Sequence, residues 1–180
     1  VQVEDGQAAV RLSFVVDGST AHATSRTFRH LALLAQVKHG DDEVLSAITT
    51  EDGDAKDVLF DRLRRMRTWI ASSHFPDELR VVLLNEPAHD ALNALTPTQQ
   101  PLVAALKEAL LHVTWDEQGF TDAMKSVAGM DGVGMRDVYR AAYISLMGLE
   151  KGPRLAPILA NCKKVEILGL LEKSANHVLQ

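Results

Sequence analysis

The stretch YRAAYISLMGLEKGPRLAPILANC, residues 139–162, reads as a helix that stops at a glycine-proline turn and restarts at once. Val138, Ala142, Ser145, Leu146 and Leu149 recur at helical spacing, so one face of the first helix is suited to a core. Gly148 and Gly152 are placed to end it, because glycine tolerates the left-handed backbone of a helix C-terminus. Pro153 suits the first turn of the next helix, where its missing N–H would have had no partner. Corners of this kind are common in all-helical proteins, and a purely structural role is the plain reading of this one. The charge around it suggests more. Lys151 and Arg154 flank the turn, and free N–H groups at a helix start favour an anion such as a phosphate.

Outward from that corner, the chain continues in the same style. Leu59, Leu63, Met66 and Ile70 form a stripe at i, i+4, i+7 and i+11, which predicts a core-facing helix over residues 54–73. Its flank holds Arg62, Arg64, Arg65 and Arg67, a dense cluster for an acidic protein, and Trp69 lies one turn from Arg65. Guanidinium and indole together suit a nucleic-acid base or phosphate, which makes Arg62 and Arg65 candidate RNA contacts. The structural alternative is a solvated flank with Asp61 and Arg65 as an i, i+4 pair and Trp69 in the core.

Before this helix, Phe28, Leu31, Ala32 and Ala35 share a face up to Lys38, where Gly40 is the stop, and Asp41 and Asp42 open a second helix through Val44 to Ile48. After it, Pro87 and Ala88 open a short helix to about Leu95, and Leu102, Leu106, Ala109, Leu110 and Val113 line another. Asp116 is placed to cap a helix running to Val127. The loop GMDGVG at 129–134 lacks a preceding strand and a following lysine, so it reads as a helix connection rather than a phosphate loop. Residues 165–171 supply a last apolar helix, followed by a tail expected to fray. Only residues 10–17, with Val10, Leu12, Phe14 and Val16 alternating against polar neighbours, suggest a short strand. The expected fold is all-α, a bundle of about eight or nine short helices.

Composition narrows the function classes. The net charge of −5 argues against a protein that grips nucleic acid through a strong general field, so any such contact must be local. A single cysteine, Cys162, excludes an intrachain disulfide framework and fits a reducing, cytoplasmic setting. The 7 histidines are scattered, and none forms a pair with metal-ligand spacing on one helix. Nucleophile elbows, Walker loops and kinase signatures are missing, and no apolar run approaches the roughly 18 residues a membrane helix needs. The chain starts at Val1 without an initiator methionine, which suggests a fragment of a longer protein.

Residues 143–155, YISLMGLEKGPRL, resemble the helix, glycine, short link, Gly-Pro and small-helix segment near the end of class I lysyl-tRNA synthetases. Glutamyl-tRNA synthetases have a related ending. Upstream, TFRHLALLAQV at 27–37, RMRTWI at 65–70 and FPDE at 75–78 look like the helical C-terminal region of the same lysyl enzymes. The resemblance spans residues 24–175.

It implies an anticodon-binding helix cage over residues 24–180, with residues 1–23 as a connecting segment. Its partners would be the tRNA anticodon stem-loop and an N-terminal catalytic domain of the parent chain. Catalysis and ATP would belong to that domain, with no cofactor or metal here; its HIGH and KMSKS signatures do not occur in these residues. An anticodon loop presents splayed bases that proteins read by stacking and by base-edge hydrogen bonds. Arg136, Arg140 and Tyr143 share a helix face at i, i+4 and i+7, which assigns Tyr143 to stacking and Arg136 and Arg140 to phosphates or base edges. Lys151 and Arg154 are assigned to the RNA backbone, and Tyr139 to the core. Two other readings stand beside this one: the corresponding domain of a glutamyl-tRNA synthetase, and a helical module that binds protein and no RNA, which the acidic balance favours.

Overall fold

The computed structural model describes residues 28–48, 56–130 and 132–178, and among them all regular structure is helical, with no strand. The helices are α1 (Phe28–Val37), α2 (Asp41–Ile48), α3 (Lys56–Ala71), α4 (His89–Leu92), α5 (Gln100–Leu111), α6 (Glu117–Ala128), α7 (Met135–Met147), α8 (Leu155–Ala160) and α9 (Lys164–Val178), with one 3-10 turn at Asp77–Leu79. The expected strand at 10–17 and the connecting segment 1–23 lie outside the described residues.

Two apolar cores organise these elements. The smaller collects Leu34, Val44, Ile48, Leu63, Met66 and Phe75 from α1 to α3 and the turn after them. The larger collects α4 to α9 around Leu102, Leu106, Phe120, Val138, Ile144 and Leu159. Burying one such leucine or phenylalanine side chain removes enough apolar surface from water to contribute about 1.5–3 kcal/mol. Gln36 joins the cores: its amide donates to the Leu79 carbonyl at 3.1 Å and its Oε1 accepts from the Val81 N–H at 2.8 Å.

The segment after Leu79 is the main departure from an unbroken run of helices. Residues 80–84 adopt neither helix nor sheet, and the Leu84 N–H donates to the Leu146 carbonyl at 2.9 Å. That carbonyl lies in the last turn of α7, where it has no partner along its own helix. Leu83 and Leu84 pack against the larger core, so the extended piece is held by burial as well.

Helix ends follow local chemistry. The Asp116 carboxylate accepts from the Gly119 N–H at 2.7 Å and caps α6 as expected. A Cβ at Gly119 would collide with the Thr114 carbonyl oxygen, so this first turn requires glycine. Gly148 ends α7 in the left-handed conformation, φ 67°, with its N–H on the Ile144 carbonyl.

Four expectations are corrected. Leu149, on the expected core face, is 49% exposed, because the left-handed step at Gly148 turns the chain away from the helix axis one residue earlier. Pro153 is not in a helix: Arg154 is the N-cap and α8 starts at Leu155. The short helix opened by Pro87 and Ala88 ends at Leu92. The tail does not fray from residue 173, since α9 continues to Val178 with Ser174 and Ala175 buried.

Candidate nucleic-acid interface

The turn after α7 folds back over the helix it leaves. Arg136, Arg140 and Tyr143 do lie along one side of α7, and the chain itself covers most of that side. Tyr143 is buried, 9% exposed, and its hydroxyl lies 3.1 Å from the Gly152 carbonyl oxygen and 2.7 Å from that of Pro153, donating into the turn. Its ring lies so close to Gly152 that a Cβ there would stand 3.1 Å from Cε1. Burial, and then the neighbouring Tyr139, push the Tyr143 hydroxyl pKa up, so it stays a neutral donor. The stacking role assigned to Tyr143 is therefore corrected: its ring anchors the Gly-Pro turn to α7. Tyr139, expected in the core, is only half-buried, with ring centroids 6.4 Å from Tyr143.

Arg140 is likewise engaged within the protein. Its guanidinium donates to the Gln99 Oε1 at 2.5 Å, the Glu150 carboxylate at 2.6 Å and the Ala94 carbonyl at 3.3 Å, and its side chain is 23% exposed. Gln99 is itself buried and passes the network on, donating to Asp137 at 2.7 Å. The Arg140 hydrogen bond and charge, with a further contribution from Arg136, hold the Glu150 carboxyl below its usual range. Arg140 is a strut between α7, the 94–99 turn and Glu150, which corrects its assignment to phosphates or base edges.

What remains outward on this side is cationic. Arg136, Lys151 and Arg154 are exposed and make no hydrogen bond or ion pair among the described residues. Arg136 stands in the first turn of α7 and acts on the Glu150 carboxyl, and Lys151 and Arg154 lie on the turn that follows α7. Helix α8 is only 6 residues long, and Arg154 stands at its N-cap.

The arginine cluster of α3 is built differently. Asp61 accepts from Arg64 at 2.9 Å and from Arg65 at 2.7 Å, and these two arginines are each 72% exposed. The Arg64 hydrogen bond leads in holding the Asp61 carboxyl below its usual range. Arg67 donates to Asp41 at 2.6 Å and to the Ala35 carbonyl at 3.1 Å, tying α3 to the two helices before it. Trp69 is half-buried at the edge of the smaller core, packing against Phe28 and Phe75 with ring centroids 5.0 and 4.6 Å away. Arg62 is half-buried and held within the chain. Arg64, Arg65, Thr68, Trp69 and Ser72 line a shallow groove of about 460 Å³, so Arg65 and Trp69 meet as the spacing predicts, with Arg64 in the place expected for Arg62.

Other reactive groups are quiet. Cys162 hydrogen-bonds the Ile158 carbonyl at 3.1 Å, and burial pushes its thiol up to about 11, which disfavours the thiolate at neutral pH. Among the described residues no group of three His, Cys, Asp or Glu gathers to hold a metal, and no helix is long and apolar enough to cross a membrane. One pairing was not legible in the spacing: His89 and His177 meet across 88 positions, with Nδ1 atoms 3.0 Å apart.

Residues 32–173 match the family model described as an anticodon binding domain. The chain belongs to this anticodon-binding family. All seven candidate RNA contacts fall inside the matched span, as do all the buried residues of the two cores except Leu31 and Ala175 at its edges. A lysine–tRNA ligase of Thermoplasma volcanium is 25% identical over 162 residues, covering 89% of this chain and 31% of the relative. One of Thermococcus kodakarensis is 28% identical over 153 residues, covering 76% of this chain and 27% of the relative. The domain thus spans less than a third of these relatives. A crystal structure of a glutamate tRNA ligase from Elizabethkingia meningosepticum, in complex with its amino acid, overlaps 83% of this chain and 28% of that one, at 16% identity and a TM-score of 0.48.

Proposed function

We propose that this chain is the anticodon-reading domain of a class I lysine–tRNA ligase. The observation that carries the reading is the family match over 32–173, joined to relatives of Thermoplasma volcanium and Thermococcus kodakarensis that are both lysine–tRNA ligases. In this reading the domain binds the anticodon stem-loop in the cytoplasm. A catalytic domain of the parent enzyme binds ATP and lysine and joins the amino acid to tRNA.

The surface chemistry supports a local RNA contact on an acidic protein. Arg136, Lys151 and Arg154 offer unspent charge at the Gly-Pro turn for phosphates. Arg64 and Arg65 beside Trp69 offer a second groove in which guanidinium planes and an indole edge suit an unstacked base. Tyr143 and Arg140 shape the first of these surfaces from behind.

Filter binding of the chain to anticodon stem-loop RNAs tests this. The lysine loop should bind more tightly than the glutamate loop, and R136A/K151A/R154A should weaken binding and flatten its salt dependence by about one unit of slope per lost phosphate contact. Preference for the glutamate loop would move the domain to a glutamyl enzyme. Absence of binding to either would return it to the class of protein-interaction modules.

A further inference from the structure

We propose that His89 and His177 form a two-histidine site for a divalent first-row transition-metal ion, pinning the end of α9 to α4. His89 opens α4 and is exposed; His177 stands in the last turn of α9 and is half-buried. The fold brings their Nδ1 atoms to 3.0 Å. Two imidazole nitrogens bound to one ion at about 2.0–2.1 Å each stand about 2.9–3.4 Å apart, so this separation fits neighbouring ligands of a shared metal.

Ring orientation points the same way. The ring centroids are 4.3 Å apart with planes at 58°. A straight imidazole-to-imidazole hydrogen bond of this length would hold the centroids roughly 5 Å apart, because the rings would extend away from each other along the bond. The observed centroids are closer than that, so the two rings are canted toward one another rather than set in line.

His177 carries the support that metal-binding histidines usually have. Its other nitrogen, Nε2, lies 3.3 Å from the Asn93 Oδ1. An amide oxygen only accepts, so this contact favours the tautomer with hydrogen on Nε2, in which Nδ1 keeps its lone pair for a metal. The nearby Lys173 is neutralised by Glu86 at 2.6 Å. No third His, Cys, Asp or Glu joins the pair among the described residues, and water would complete the coordination of a bound ion. Imidazole pairs of this kind take Zn²⁺, Cu²⁺ or Ni²⁺ in preference to Mg²⁺ or Ca²⁺.

Calorimetric titration of the untagged chain with Zn²⁺, with Mg²⁺ as control, tests the site. One equivalent of Zn²⁺ should bind, H89Q and H177Q should each lose at least tenfold in affinity, and Mg²⁺ should give no binding. Circular dichroism confirms that the variants remain folded. Wild-type Zn²⁺ affinity in either single variant overturns the proposal, because a shared ion needs both rings. Electron paramagnetic resonance of the Cu²⁺-loaded wild type needs no variant: coupling to two imidazole nitrogens supports the site, and a spectrum without it overturns it.

Discussion

Helix α3 and the corner between α7 and α8 look alike as strings of residues and behave differently once folded. Each sets arginines and an aromatic ring at helical spacing on one face. At the corner the chain returns across that face, so Tyr143 and Arg140 are consumed in holding the turn, and only Arg136, Lys151 and Arg154 remain outward. On α3 no such return covers the exposed arginines. Arg64 and Arg65 share one carboxylate and stay in solvent beside the edge of Trp69. Helical spacing therefore tells which side chains share a face, and the next segment of chain decides whether that face is available.

The sharpest way to break this contrast is to remove the two aromatics. Tyr143→Ala should cost about 3–5 kcal/mol in urea unfolding, since a buried ring and the anchor of the turn both go. Trp69→Ala, at a half-buried ring, should cost less. Equal losses would mean that the corner is no better packed than α3.

Removing the strut comes next. Arg140→Met should cost about 1–3 kcal/mol, because the buried Gln99 loses a charged partner, whereas Arg65→Met should change stability by less than about 0.5 kcal/mol. A stability change at Arg65 as large as that at Arg140 would overturn the assignment of one as strut and the other as surface.

Acid titration sharpens the comparison further. The Glu150 and Asp61 carboxyls sit below their usual values when folded, so each contributes stability that is present above the unfolded value of about 4 and is lost as pH falls through the folded value. Glu150→Gln should flatten the acid limb of the unfolding profile of the corner, read by the ring NMR signals of Tyr143. Asp61→Gln should leave that probe unchanged.

The smallest effect is expected at the thiol. Its folded value of about 11 exceeds the ordinary thiol value of 9.0, so the contribution is present below pH 9 and declines as the pH rises toward 11. Native Cys162 should react with iodoacetamide at pH 8 far more slowly than the urea-unfolded chain. Equal rates would show that the 161–163 turn opens freely.

Much of the fold was legible because its signals are local. The stripe at Leu59, Leu63 and Met66, the Asp116 cap and the left-handed stop at Gly148 each depend on a few adjacent residues, and each appears where the sequence places it. The extended piece at 80–84 was not legible, since it is held by the Leu146 carbonyl and by Gln36, both remote in sequence. The length of α9 was missed for a related reason: Ser174 and Ala175 carry little hydrophobic signal, and their burial comes from neighbours rather than from their own side chains.

By itself the sequence determined the helices, most of their ends and the grouping of Arg136, Arg140 and Tyr143 on one face, because backbone sterics and a 3.6-residue repeat act over a few positions. Only tertiary structure decided which of those side chains face solvent, and it alone brought His89 to His177 across 88 positions. Burial and contact between distant residues are properties of the packed chain, and no local pattern encodes them.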